Sequence, residues 1–138
     1  MATLVVGYDG TDGAQAALSG AVELASELGD ALIAVFAYSI GRLGGEVTDY
    51  AKAVEEHGRA MLEEARRIGA EAGVELDTVL RERETAEGLI EVADERDARM
   101  IVVGSHGERP LKSALVGSTP TRLLHLSERP ILVVRAAD

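Results

Sequence analysis

Along the chain, short apolar runs alternate with longer segments in which apolar residues recur every three or four positions. Residues 4–8 form the first run, closed by the turn dipeptide Asp9-Gly10. Thr11 or Asp12 can cap the helix that follows, in which Ala17, Leu18, Ala21, Val22, Ala25 and Leu28 share one face. Gly29-Asp30 stops that helix, and residues 31–38 read as a second apolar strand. Beyond a glycine-rich loop at 41–45, a long helix from 48 to about 72 places Ala51, Val54, Gly58, Met61, Leu62, Ala65 and Ile68 on one side. Gly73 stands in the usual helix-stop position. Residues 74–83 alternate apolar and polar, as an edge strand does. A shorter helix spans 85–96, and residues 100–103 and 131–134 supply the fourth and fifth strands. Between those two strands, residues 119–127 read as a helix.

Five strands separated by helices predict an α/β chain with one doubly wound parallel sheet and helices on both faces. No internal repeat, low-complexity tract or linker interrupts the pattern, so residues 1–138 are expected to form one domain.

Composition narrows the function. A net charge of −10 opposes long-range attraction to nucleic-acid backbones and anionic membranes. Tyr8, Phe36, Tyr38 and Tyr50 are the only aromatic residues, too few for a base-stacking platform. With no cysteine, a disulfide framework and a thiolate metal site are both excluded. No charged segment leads into an apolar one at the start, and the apolar runs are too short to span a bilayer. A soluble, cytoplasmic protein that neither binds nucleic acid nor inserts in a membrane is expected.

The most informative stretch lies between the fourth strand and the helix after it. It reads Gly104-Ser-His-Gly-Glu-Arg-Pro-Leu-Lys-Ser-Ala-Leu-Val-Gly-Ser118. Glycines at 104, 107 and 117 permit positive φ and close ligand approach, and Ser118 is suited to cap a helix whose free N–H groups face an anion. Strand, glycine loop and helix start together describe a phosphate cradle. It lacks the Gly-Lys-Ser/Thr of a P-loop, and it is not the Gly-x-Gly-x-x-Gly turn that follows a first strand.

The spacing Gly104-x2-Gly107-x9-Gly117-Ser118 resembles the nucleotide-binding signature of the universal stress protein (UspA-like) family. The resemblance extends over nearly the whole chain. Leu4-Val-Val-Gly-Tyr-Asp-Gly-Thr11 is similar to the family's first strand and acidic turn, and Arg129-Pro-Ile-Leu-Val-Val-Arg135 to its last strand. It implies strand order 3-2-1-4-5, with a ligand crevice beyond the carboxyl ends of strands 1 and 4, where the winding reverses. It further implies an ATP or other adenine-nucleotide ligand with Mg2+ as a candidate companion, a stress-response regulatory role, and a homodimer through strand 131–135.

On this reading the nucleotide-binding residues are Asp9, Ala37, Gly104, His106, Gly107, Gly117, Ser118 and Thr119. Asp9 admits two readings: a turn residue, or a carboxylate beside the ribose or a phosphate-bound Mg2+. Ala37 would act through its backbone toward the adenine edge. His106 sits by the phosphates in the family but has no orienting carboxylate in the sequence and is a poor general base. Arg109 and Lys112 place positive charge within the loop, Ser113 could reach phosphate, and His57 and His125 are expected on helix surfaces.

One departure stands out. The family continues after Gly-Ser with a small apolar residue and then Ser or Thr, whereas this chain continues Thr119-Pro120-Thr121. Pro120 removes an N–H and a hydroxyl at the turn that meets phosphate, and each bond to a charged group is worth about 1.5–3 kcal/mol. Thr119 or Thr121 could supply a replacement hydroxyl. A UspA-like dimer that acts through protein partners without nucleotide is therefore the alternative. A phosphoacceptor receiver domain is rejected, because Arg81-Glu-Arg-Glu84 and Arg135 stand where it needs Asp and Lys. A flavin carrier lacks aromatics in the loops after strands 3 and 4. No catalytic constellation is visible, so hydrolysis of bound ATP would be slow at most.

Overall fold

Every crossover between parallel strands has to traverse the sheet, and here each crossover carries a helix. The computed structural model describes residues 1–40, 47–105 and 117–136. In chain order the elements are β1 (Thr3–Gly7), α1 (Asp12–Leu28), β2 (Ala31–Tyr38), α2 (Val47–Glu71) and β3 (Leu76–Glu82), then α3 (Thr85–Arg96), β4 (Met100–Gly104), α4 (Ser118–Leu126) and β5 (Ile131–Val134). The strands lie in the order β3-β2-β1-β4-β5, all parallel, as expected. The expected boundaries move by one or two residues; β1, for instance, starts at Thr3 and ends at Gly7.

Alternation along the strands sorts the core into two layers. Leu4, Val6, Leu32, Ala34 and Val102 pack beneath α1 and α2, while Val5, Ile33, Val35, Ile101 and Val103 pack beneath α3 and α4. Alanines at 14, 17, 21 and 25 form much of α1's buried stripe and let that helix sit close to the sheet. Tyr8 and Tyr38, at the carboxyl ends of β1 and β2, each donate a hydroxyl hydrogen bond to α2, to Glu64 at 2.5 Å and Glu55 at 3.1 Å. Burial, the bond to Glu64 and its charge raise the ionisation of Tyr8 far above the usual tyrosine range, so the phenol keeps its proton. At the opposite end of the sheet the buried Asp30 carboxylate is held by Arg99, with Nε 2.8 Å from Oδ2 and Nη2 donating to Oδ1 at 3.2 Å. The contact at Oδ2 is one of charge and not a directed hydrogen bond.

Gly29 and Gly73, the helix stops, take left-handed φ of 70° and 73°. Gly104 does not. A Cβ there would lie 2.5 Å from the carbonyl oxygen of Gly13, so its glycine serves a backbone-to-backbone approach between β4 and the start of α1. The expectation of positive φ at 104 is corrected accordingly. Gly104→Ala should destabilise the protein by about 1–3 kcal/mol through overpacking, read as a lower urea midpoint; an unchanged midpoint would mean that the two backbones part freely.

Candidate functional site

Sheet geometry opens a crevice at the place where the winding reverses. Gly7 of β1 pairs with Val35, the Tyr8 N–H donates to the Val35 carbonyl, and β2 then continues alone on that side to Tyr38. Both backbone groups of a strand residue point to the same side, and the side alternates along the strand. Val35 addresses β1, and Tyr38 addresses β3 through its carbonyl and the Arg83 N–H. Ala37 therefore directs its N–H and C=O toward β1, beyond the point where β1 has ended. It lines the crevice together with Asp9, Gly104, Gly117, Ser118 and Thr119.

These six are the sequence-derived site residues that the described structure brings together. His106 and Gly107 lie outside the described residues, as do Arg109, Lys112, Ser113 and the glycine-rich loop at 41–45. The flanks of that segment are clasped: the Gly117 N–H donates to the Ser105 carbonyl at 2.6 Å, and the Ser105 N–H donates to Val134. This clasp sets the start of α4 beside the end of β4.

Three helix starts contribute to the crevice walls, and their electrostatics differ. At α1, Thr11 Oγ1 accepts from the Ala14 N–H at 3.3 Å and donates to Asp9 Oδ1 at 2.6 Å, while the Thr11 N–H donates to the same oxygen at 3.0 Å. At α3, the Glu84 carboxylate accepts from the Glu87 N–H at 3.3 Å. Both starts also carry an acidic first-turn residue, Asp12 in α1 and Glu87 in α3. At α4 the cap is Gly117, with no side-chain hydrogen bond and no acidic residue in the first turn. Its positive dipole end is therefore the one left open to an anion.

Two expectations need correction. Ser118 is not the cap but the first helical residue, and it is exposed; Gly117 takes the cap position with φ −65° and ψ 176°. Those angles suit any residue, so no positive φ is required at 117 either. Pro120, read as a residue for the very start of the helix, is its third residue and is buried against the crevice. There it withholds a first-turn N–H. Thr121 does not replace it, because its hydroxyl and N–H both donate to the Gly117 carbonyl, at 2.9 and 3.2 Å. Thr119 remains on the crevice wall.

Thr11 and Thr85, not among the site residues expected from the sequence, also line the crevice. Each opens or caps a helix directly after a strand's carboxyl end, which is a signal available without coordinates. His57 and His125 are exposed as expected, His57 standing edge-on to Phe36 with centroids 5.9 Å apart. Among the described residues no group of three or more histidine or carboxylate side chains could hold a metal ion. Nor is any described helix long and apolar enough to cross a membrane.

The sequence profile of the universal stress protein family matches residues 1–135. The chain belongs to that family. Among its relatives is the universal stress protein YxiE of Bacillus subtilis, 31% identical over 96% of this chain and 97% of the relative. A solved universal stress protein in complex with cAMP superposes with a TM-score of 0.78 at 27% identity, covering 99% of this chain and 98% of that one. The universal stress protein of Archaeoglobus fulgidus in complex with dAMP shares the fold, with a TM-score of 0.69 at 23% identity over 97% of this chain and 98% of its own. The nucleotides are those of the two relatives.

Thr11 carries the most local structure in this family member's crevice. Thr11→Val should lower stability by about 0.5–2 kcal/mol through loss of the α1 cap, measured by chemical denaturation. Asp9→Asn should cost less, since its amide oxygen still accepts from Thr11; equal losses would locate the effect in the carboxylate.

Proposed function

We propose that this universal stress protein binds an adenine nucleotide, ATP foremost, in the crevice between β1 and β4, and acts as a cytoplasmic homodimeric regulator in the stress response. The observation that carries the reading is the open start of α4, where Gly117 caps the helix without a side chain and no acidic residue follows in the first turn. First-turn N–H groups at Ser118 and Thr119 have no partner within their own helix and suit phosphate oxygens. The outward N–H and C=O of Ala37 fit the edge of an adenine. A family relative at 27% identity was solved with cAMP, which supports an adenine-nucleotide ligand.

Asp9 is the one carboxylate among the described lining residues. With Oδ1 engaged by Thr11, Oδ2 suits a ribose hydroxyl, or a Mg2+ held through water and the phosphates. Such an ion would supply charge neutralisation. The second reading, a dimer that acts through protein partners without nucleotide, draws on Pro120 and its missing donor.

Mg-ATP at millimolar concentration should raise the melting temperature in a concentration-dependent way, as a ligand of the folded state does. Gly117→Asp, which sets a carboxylate at the α4 start, should abolish the shift while circular dichroism stays native. No shift and no calorimetric heat with ATP, ADP or AMP would defeat the reading.

For the dimer, support comes from β5. The Pro130 and Val134 carbonyls accept from β4, so the backbone groups of Ile131, Val133 and Arg135 face outward along the edge. Leu132 is 37% exposed, whereas Val133 packs against the layer under α3 and α4. Light scattering at micromolar concentration should give twice the 14.5 kDa chain mass. Leu132→Lys should shift the protein toward monomer; an unchanged dimer would place the interface elsewhere.

A further inference from the structure

The open start of α4 does not stand alone at the crevice. One turn further along the same helix face, Arg122 follows Ser118 at four residues' spacing. Its guanidinium leaves α4 and meets the start of α3: Nη2 stands 2.9 Å from Glu87 Oε1, and Nε 3.5 Å from Glu84 Oε2. Glu84 is the α3 cap, and the next residue, Thr85, lines the crevice. Two carboxylates thus stand next to a wall that, on the reading above, receives a polyanion.

Their charge is contained in two ways. The Glu84 carboxylate offsets the dipole of α3 through the Glu87 N–H. Glu87 is also approached by Arg83, whose Nη2 lies 3.5 Å from Oε2. Arg83 is shared in turn with Glu91, to which its Nε stands at 2.7 Å. Arg122 is the cation that joins Glu84 and Glu87 to α4, and it comes from the phosphate-facing helix itself. Without it, Glu84 would keep its capping bond but lose its counterion beside Thr85.

We propose that Arg122 is a positioning residue for the nucleotide, one that acts by neutralising Glu84 and Glu87 beside the crevice wall that receives the phosphates. The proposal rests on the nucleotide reading of the crevice. Its signature is charge selectivity. Phosphate-bearing ligands depend on Arg122, and the uncharged nucleoside does not.

The test compares the parent, Arg122→Gln, and the triple variant Arg122→Gln/Glu84→Gln/Glu87→Gln, each titrated calorimetrically with ATP and with adenosine at low salt. Gln at 84 keeps an oxygen that caps α3. Arg122→Gln should weaken ATP about two- to fivefold, the range for loss of one partly solvated ion pair, and leave adenosine unchanged. The triple variant should recover most of the ATP affinity, because the carboxylates that needed the cation are gone. Unchanged ATP affinity in Arg122→Gln overturns the proposal, as does a parallel loss of ATP and adenosine or a triple variant that recovers nothing. A parent that binds neither ligand takes down the nucleotide reading itself, and this proposal with it. A parent that binds both, with variants that match it, takes down this proposal alone.

Discussion

The contact between Gly104 and Gly13 sets the floor of the crevice. Two backbones meet there with no room for a methyl group, since a Cβ on Gly104 would fall 2.5 Å from the Gly13 carbonyl oxygen. That closeness brings the start of α1 onto the end of β4, across the line where the sheet's winding reverses. From it follow the nearness of Thr11 and Asp9 to the β4 side, and the route by which Ser105 can receive Gly117. Widening the approach would separate the walls that the caps and the clasp depend on.

Much of the fold was legible because the chain's periodicities match its burial. Strands covered on both faces, such as Leu4-Val5-Val6 and Ile101-Val102-Val103, read as continuous apolar runs, and α1 and α2 show their buried stripes at helical spacing. The crevice position followed from strand order, and six of the sequence-derived residues meet there. What failed was the reason behind individual residues. A glycine in sequence does not distinguish left-handed φ from a lack of space, and Gly104 and Gly117 need no left-handed backbone. Gly-Ser at a helix start leaves two candidates for the cap, and the preference for serine pointed one residue too far. The pairing of Arg122 with Glu84 and Glu87 joins segments far apart in sequence, which no local pattern encodes.

Charge is organised at short range in a chain of net charge −10. Acidic groups sit at the starts of α1 and α3, where helix dipoles favour them, and the start of α4 carries none. Long-range repulsion of anions and a local opening for one are therefore compatible, because screening in salt limits the first to about 10 Å while the second acts at contact.

The two edges of the sheet are unlike. On β3, Asp77 pairs with Arg96 at 2.8 Å and Arg81 with Glu95 at 2.6 Å, while Arg66 donates to Thr78, so that strand carries charged and polar side chains. The border at β5 is apolar, with Leu132 partly exposed. Charge blunts a sheet border against strand pairing, so β5 is the border better suited to receive a strand. In the proposed dimer, a strand added at β5 by a second copy would leave the two charged β3 borders outermost, an arrangement that disfavours open-ended growth.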